Sequence, residues 1–186
     1  MKYLFFILTL ITVSSKAQTV SLETAAQCVI EPNCPNYNYA KDLNNSLEKY
    51  VGTWKGNYNG KTYELQFQKD IFEDVGIKRD ELIGRIKIKD SAGNVIYDTF
   101  NEPDNTKTNF IGLNFQSDLK AYRVYFSGNT PKGCINYGTV YLKIKPETPN
   151  QMSIFYWSED DIVEGVCPAS FTKTFPEKKT INLTKQ

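Results

Sequence analysis

The stretch Tyr50-Val51-Gly52-Thr53-Trp54-Lys55-Gly56-Asn57-Tyr58 opens a run of alternating sequence that fills the rest of the chain. Successive side chains of a strand point to opposite faces of its sheet. One face of this stretch therefore carries aromatic residues and glycines, and the other carries mostly polar residues. The polar face consists of Val51, Thr53, Lys55 and Asn57. The pattern predicts the first strand of a β-rich domain.

The strongest hairpin signal in the chain follows directly. Asn59-Gly60 stands at the centre of a tight turn, and this dipeptide is typical of two-residue hairpin loops. Residues 62–69 then alternate between apolar and polar side chains, with Tyr63, Leu65 and Phe67 on one face. The sequence therefore predicts that the two strands pair as an antiparallel hairpin.

Short alternating segments separated by turn residues continue toward the C-terminus. Tyr39, Leu43, Leu47 and Tyr50 recur at helical spacing, which predicts a short helix at 39–49. Because no helices separate the strands, an all-β antiparallel meander of eight to ten strands, curled into a barrel or sandwich, is predicted instead of a parallel fold. A charged insertion is predicted at 70–81, and the further strands are predicted at 82–90, 95–100, 109–115, 121–127, 137–145, 151–158, 170–175 and 180–184.

Residues 1–17 have the pattern of a secretory signal peptide. Lys2 gives a positive start, residues 3–13 are apolar, and Ser15-Lys16-Ala17 fits a small-x-small cleavage site. We expect cleavage after Ala17 and a secreted or periplasmic mature protein. The alternative is an uncleaved anchor, but the apolar run is shorter than the roughly 18 residues that mark a membrane-spanning helix. Residues 18–36 are then expected to form an N-terminal arm, and residues 37–186 a single domain.

The charge of the mature chain bears on its partners. Removing residues 1–17 lowers Lys+Arg from 22 to 20 against 21 Asp+Glu, so the net charge is −1. Binding to nucleic acid depends on many basic contacts to phosphates, so nucleic acid is not expected as a partner. No second apolar stretch of the mature chain is long enough to cross a membrane. We also expect the protein to be a monomer.

The mature chain contains four cysteines, Cys28, Cys34, Cys134 and Cys167. In an oxidising compartment an even number of cysteines favours disulfides, and three pairings are open. We favour Cys28–Cys34, which encloses a short loop of the arm, and Cys134–Cys167, which brackets a predicted hairpin. A metal site is the alternative, although the spacing of Cys28 and Cys34 is unusual for zinc.

The chain contains no histidine, which excludes Ser-His-Asp and Cys-His catalytic sites and His-ligated zinc. Among the acids, only Glu64 lies firmly within a predicted strand, on a polar face. The acidic run Glu159-Asp160-Asp161 does not have the spacing or the glycine of a calcium-binding loop. We therefore expect no enzyme activity, no cofactor and no metal.

Gly52-Thr53-Trp54 on the first strand, preceded by a short helix, resembles the start of the lipocalin and calycin barrels. In those families the tryptophan of Gly-x-Trp packs across the closed end of an up-and-down barrel. The resemblance implies such a barrel here, with Gly52 and Trp54 as its closure. It also implies a late arginine stacked on Trp54, for which Arg123 is the candidate. The ligand-entry loop signature of those families is absent.

The chain as a whole resembles a family of uncharacterised secreted proteins from Bacteroidota. The matching features include the segments Leu47-Glu48-Lys49-Tyr50-Val51-Gly52-Thr53-Trp54-Lys55-Gly56 and Gly60-Lys61-Thr62-Tyr63-Glu64, the late Cys134 and Cys167-Pro168, and the C-terminal Leu183-Thr184-Lys185-Gln186. Such a family carries no assigned activity, so the resemblance implies a compartment and a fold and adds no catalytic residue.

The candidate ligand site is a cup formed by Tyr125, Phe155 and Trp157, which lie on the face opposite the apolar core positions of their strands. Such a cup suits a small apolar molecule or a short glycan, because ligand sites are concave and mostly apolar. Core filling is the alternative, since an eight-stranded barrel is just wide enough for its own side chains.

The leading hypothesis is a secreted, non-enzymatic, lipocalin-like binding module. A filled barrel that acts as an extracellular protein-interaction or inhibitor module is the alternative. A carboxylate-based hydrolase is a third possibility, and it requires two acids that face each other across a cleft.

Overall fold

The computed structural model describes residues 18–31 and 33–186, so the predicted signal peptide lies outside the described residues. The described part contains one short α-helix, α1 (Leu22–Gln27), and two 3₁₀ turns, Glu48–Tyr50 and Asn105–Lys107. The strands are β1 (Thr19–Ser21), β2 (Tyr39–Lys41), β3 (Gly52–Tyr58), β4 (Lys61–Asp74), β5 (Ile77–Lys89), β6 (Val95–Asp98), β7 (Phe110–Phe115), β8 (Tyr122–Ser127), β9 (Tyr137–Ile144), β10 (Gln151–Ser158) and β11 (Thr180–Lys185).

Eight of these strands form a closed antiparallel barrel, in the order β3-β4-β5-β7-β8-β9-β10-β11. The last strand returns to the first through Thr184 opposite Lys55, and β5 pairs with β7 through Ile83 opposite Ile111. Gly56 permits the close return, because a Cβ at that position would lie 2.2 Å from the Asn182 carbonyl oxygen of β11. The predicted all-β barrel is confirmed.

The hairpin of β3 and β4 has the predicted turn, with positive φ at both Asn59 and Gly60. The predicted charged insertion at 70–81 is wrong, because β4 and β5 stay paired as far as Asp74 and Ile77. Oppositely charged cross-strand neighbours such as Glu73 and Lys78, 3.6 Å apart, lie on this projecting ribbon. An exposed ribbon does not need the apolar alternation from which strands are recognised in a sequence.

The predicted helix at 39–49 is also wrong. Tyr39 begins β2, which pairs in parallel with β1 and β5, and Leu43 is exposed. Asp42 accepts a hydrogen bond from the Ser46 amide at 2.6 Å and thereby caps the following turn. The α-helix of the described residues is α1, in the N-terminal arm. Its N-terminus is capped by Ser21, whose hydroxyl accepts from the Thr24 amide at 3.0 Å.

Trp54 is packed in the core beside the 3₁₀ turn that precedes its strand. The Trp54 indole is completely buried and donates to the Tyr50 carbonyl oxygen at 2.7 Å. The cation near its ring is Lys185, whose Nζ lies 5.4 Å from the ring centroid. Arg123, the candidate from the sequence, is bound instead to Asn114. The cation that the resemblance implies beside Trp54 is therefore not Arg123.

Phe175 is packed inside the barrel. Its ring is buried and lies 4.9 Å from the ring of Phe126, 5.7 Å from Tyr63 and 5.9 Å from both Phe110 and Tyr156, measured between centroids. These rings come from four different strands, so the centre of the barrel is packed with aromatic side chains. The predicted strand at 170–175 is wrong, since this segment is a loop that inserts Phe175 into the barrel.

Asn136 holds this loop in place. Its side-chain oxygen accepts from the Thr174 amide at 2.9 Å, and its amide nitrogen donates to the Thr174 hydroxyl at 2.8 Å. Asn136 is 1% exposed, so its hydrogen bonds are sheltered from water. Thr174, the residue before Phe175, is therefore fixed to Asn136 in the connection between β8 and β9.

We expect Trp54→Ala to lower the free energy of unfolding by about 3–5 kcal/mol, because a large buried ring is lost and its space is not refilled. Urea denaturation measures this change. The matched control is Lys55→Ala, which changes the neighbouring exposed residue. We expect its free energy of unfolding to differ from that of the wild type by no more than about 0.5 kcal/mol. A Trp54 variant as stable as the control would contradict the placement of the indole in the core.

We expect Phe175→Ala to be destabilised by about 3–5 kcal/mol and to open an apolar cavity that binds benzene. Benzene should then raise the Tm of the variant and leave that of the wild type unchanged. Phe171→Ala, which removes a partly exposed ring from the same loop, serves as the control. A benzene-dependent rise in Tm of the wild type would show that its barrel is not filled.

Candidate functional site

Five aromatic side chains lie on the outer face of three neighbouring strands, β8, β9 and β10. They alternate with buried residues such as Val124, Val140 and Ile154, which face the core. We refer to them as the aromatic platform; its members are Tyr125, Tyr137, Tyr141, Phe155 and Trp157. The sequence alternation therefore identifies the face on which Tyr125, Phe155 and Trp157 lie.

The register of the strands brings three of these rings together. Phe155 lies opposite Tyr141, and their ring centroids are 6.2 Å apart. Trp157 follows two residues later on the same face, at 6.4 Å from Phe155. The Trp157 side chain is 47% exposed, and Lys178 Nζ lies 4.6 Å from its ring centroid. A cation at this distance attracts the ring face and helps to fix the indole.

These three rings line a depression of about 390 Å³ on the outside of the barrel. Polar groups complete its wall, namely Lys143 and Ser153 from β9 and β10, Thr180 from β11 and Gln116 from the β7–β8 turn. The volume lies within the range of about 300–1,000 Å³ that is common for small-molecule sites. Apolar rings and several hydrogen-bonding groups thus face the same space.

The predicted cup is only partly assembled. Phe155 and Trp157 line the depression, whereas Tyr125 lies to one side, 6.4 Å from Tyr137. Tyr137 donates a hydrogen bond to Asp161 at 2.9 Å, which raises the pKa of the phenol. Tyr141 takes the place expected for Tyr125. Tyr141 could be identified as a member of the site only from the register of β9 against β10, which sets it beside Phe155.

Glu64, the acid that the sequence places within a strand, is paired with two lysines. Glu64 forms salt bridges with Lys55 and Lys89, and no set of three metal-binding side chains clusters among residues 18–31 and 33–186. Ser158, Lys173 and Glu177 contact one another, which resembles the start of a nucleophilic site. However, Ser158 is 2% exposed, and Glu177 binds both of the others, so the cluster ties the Phe175 loop to β10.

Both disulfides form with the pairing that the sequence favours. Cys28 is bonded to Cys34, and Cys134 to Cys167. The second bond links the loop before β9 to the long loop that carries Phe175. Two disulfides are consistent with an extracellular or periplasmic location. Within the described residues, no helix is long and apolar enough to cross a membrane.

A model described as "Family of unknown function (DUF6705)" matches residues 1–161. The chain belongs to this family. The match covers the strands of the barrel from β3 to β10 and ends before Phe175 and β11. Neither a curated protein nor a solved structure matches the chain. Membership therefore adds no activity, and the arguments about function depend on the site.

We expect removal of the Cys134–Cys167 disulfide, with serine at both positions, to lower the free energy of unfolding by about 3–4 kcal/mol in the chain-entropy description. The same change at Cys28 and Cys34 should cost only about 2 kcal/mol, because that bond closes a much shorter loop. Urea denaturation of the two double variants gives the comparison. A larger loss from the arm disulfide would contradict this order.

Proposed function

We propose that this protein is a secreted, non-enzymatic binding module that holds a short glycan on the outside of its barrel, at the aromatic platform. The observation that carries the proposal is the shared depression of Tyr141, Phe155 and Trp157. The ligand is bound by ring stacking and by hydrogen bonds to its hydroxyl groups, and no bond of the ligand is broken.

The chemistry of the depression suits a sugar. An aromatic ring carries negative charge density on its face, which attracts the C–H groups on the apolar face of a sugar ring. Ser153, Thr180 and Gln116 supply hydrogen-bonding groups in the same wall, and Lys143 supplies a charged donor. A purely apolar ligand would leave these groups without partners, which costs free energy.

The filled interior also favours an outer site. Barrels that bind ligands inside need an open lumen, whereas Phe175 and its neighbouring rings occupy the centre of this one. A lipocalin-like ligand cavity inside the barrel is therefore not part of the proposal. Of the two ligand classes expected from the sequence, the proposal keeps the short glycan and places it on the outer surface.

A second candidate function is a protein-interaction or inhibitor module that acts through the loop between β10 and Phe175. Ile162 is 99% exposed and Val166 90% exposed on this loop, among four acidic residues. The Cys134–Cys167 disulfide holds the loop near its middle, which lowers the entropy lost when a partner binds. Exposed apolar side chains of this kind favour a protein partner over a glycan. This argument applies to the loop and not to the aromatic platform.

A glycan array of neutral and acidic oligosaccharides, probed with the mature chain that begins at Gln18, tests the glycan proposal. For any oligosaccharide that binds, we expect Trp157→Ala and Phe155→Ala each to weaken binding by about 10-fold or more. The reason is that each variant removes a ring face on which the sugar stacks.

Ile71→Ala is the matched control, because Ile71 is exposed to a similar extent, 52%, but lies on β4 outside the platform. Its affinity should equal that of the wild type. Absence of binding to every oligosaccharide, or equal loss in all three variants, would reject the platform as a glycan site. In that case the exposed loop of Ile162 becomes the leading candidate.

A further inference from the structure

A groove lies on the outside of the barrel between the disulfide-tied arm and the strands β5 and β7. Its apolar wall is formed by Leu22 and Val29 of the arm and by Ile77 and Leu113 of the barrel. Leu113 is available because β7 has a bulge between Gly112 and Asn114, where Leu113 has no partner in β8. The volume of the groove is about 360 Å³.

Three cationic side chains line the same groove, namely Lys78, Arg79 and Arg123. Arg79 already forms a salt bridge with Glu81 at 2.7 Å, and Lys78 lies 3.6 Å from Glu73. Arg123 differs from both. Its Nε and Nη2 donate to the neutral Asn114 side chain, and among the described residues no carboxylate lies within salt-bridge distance of it.

Arg123 lies where this groove meets a second, smaller depression of about 190 Å³. The two share Val29, Asn114 and Arg123 in their walls. An apolar trough therefore leads to a partly exposed guanidinium whose charge no acid neutralises. The trough can hold an apolar chain, and the guanidinium can bind an anionic group at the end of that chain.

We propose that the groove binds a fatty acid, with its acyl chain along Leu22, Val29, Ile77 and Leu113 and its carboxylate at Arg123. An acyl chain removes the apolar wall from water, and a carboxylate accepts charge-assisted hydrogen bonds from the guanidinium. The volume is near the lower limit for small-molecule sites, which favours one acyl chain over a two-chain lipid. The site is separate from the aromatic platform and does not depend on the glycan proposal.

Displacement of 11-(dansylamino)undecanoate by dodecanoate, measured with the mature chain from Gln18, tests the site. Dodecanoate should displace the fluorescent probe, and dodecanol should do so at least about 10-fold less well, because it lacks the charge that Arg123 binds. Dodecyltrimethylammonium, with the same chain and a positive head group, should not displace the probe. Equal displacement by all three compounds would overturn the proposal.

Two variants separate the roles of charge and apolar wall. Arg123→Gln keeps a hydrogen-bonding side chain and should weaken dodecanoate about 10-fold while leaving dodecanol unchanged. Val29→Ser, which adds no charge beside Arg123, should weaken both compounds, and because Val29 is 74% exposed the fold is not at risk. Lys120→Gln, at an exposed lysine in the nearby β7–β8 turn, is the control and should bind as the wild type does.

Trp157→Ala should leave dodecanoate binding unchanged, which separates this site from the aromatic platform. Failure of the probe to bind the wild type would overturn the proposal. So would unchanged dodecanoate affinity in either Arg123→Gln or Val29→Ser.

Discussion

The packing of Phe175 against rings from four strands decides what this barrel can do. An eight-stranded barrel is just wide enough for the side chains of its own strands, and here a ring from a loop completes the filling. Asn136, the Cys134–Cys167 disulfide and the Lys173–Glu177 pair all hold that loop. These rings occupy the interior around Phe175, and both proposed ligand sites are for that reason placed on the outer surface.

Much of the barrel could be predicted from local alternation, and the errors share one cause. The alternating strands were recognised because one face of each is buried, as with Tyr63, Leu65 and Phe67. The β4–β5 ribbon beyond residue 70 is exposed and has no such alternation, and β2 is held by contacts with distant residues instead. Asp80, for example, accepts a hydrogen bond from the Asp42 amide at 2.9 Å, a contact that no local pattern encodes. Such tertiary partners override the helical spacing of Tyr39, Leu43 and Leu47.

The candidate site was predictable only in part, for a related reason. Alternation along β10 shows that Phe155 and Trp157 face away from the core, because Ile154 and Tyr156 face into it. It does not show which side chains of the next strand lie beside them. That depends on register, which sets Tyr141 opposite Phe155 and leaves Tyr125 to one side. The role of Phe175 depends on a loop path between residues 159 and 179, for which the sequence gives no periodic signal.

The two proposed sites lie next to each other on the outer face of β8 and β9. Arg123 on β8 is the register partner of Tyr141 on β9, so the cationic groove and the aromatic platform are neighbours on the outer face. The inner faces of the same strands carry Tyr122, Val124, Val140 and Leu142, all fully buried. Burial of that inner face fixes the strands, and the outer side chains are therefore held in place without contributing to the core. Exposed rings on such a rigid support lose little conformational freedom on binding, which is a condition for specific recognition.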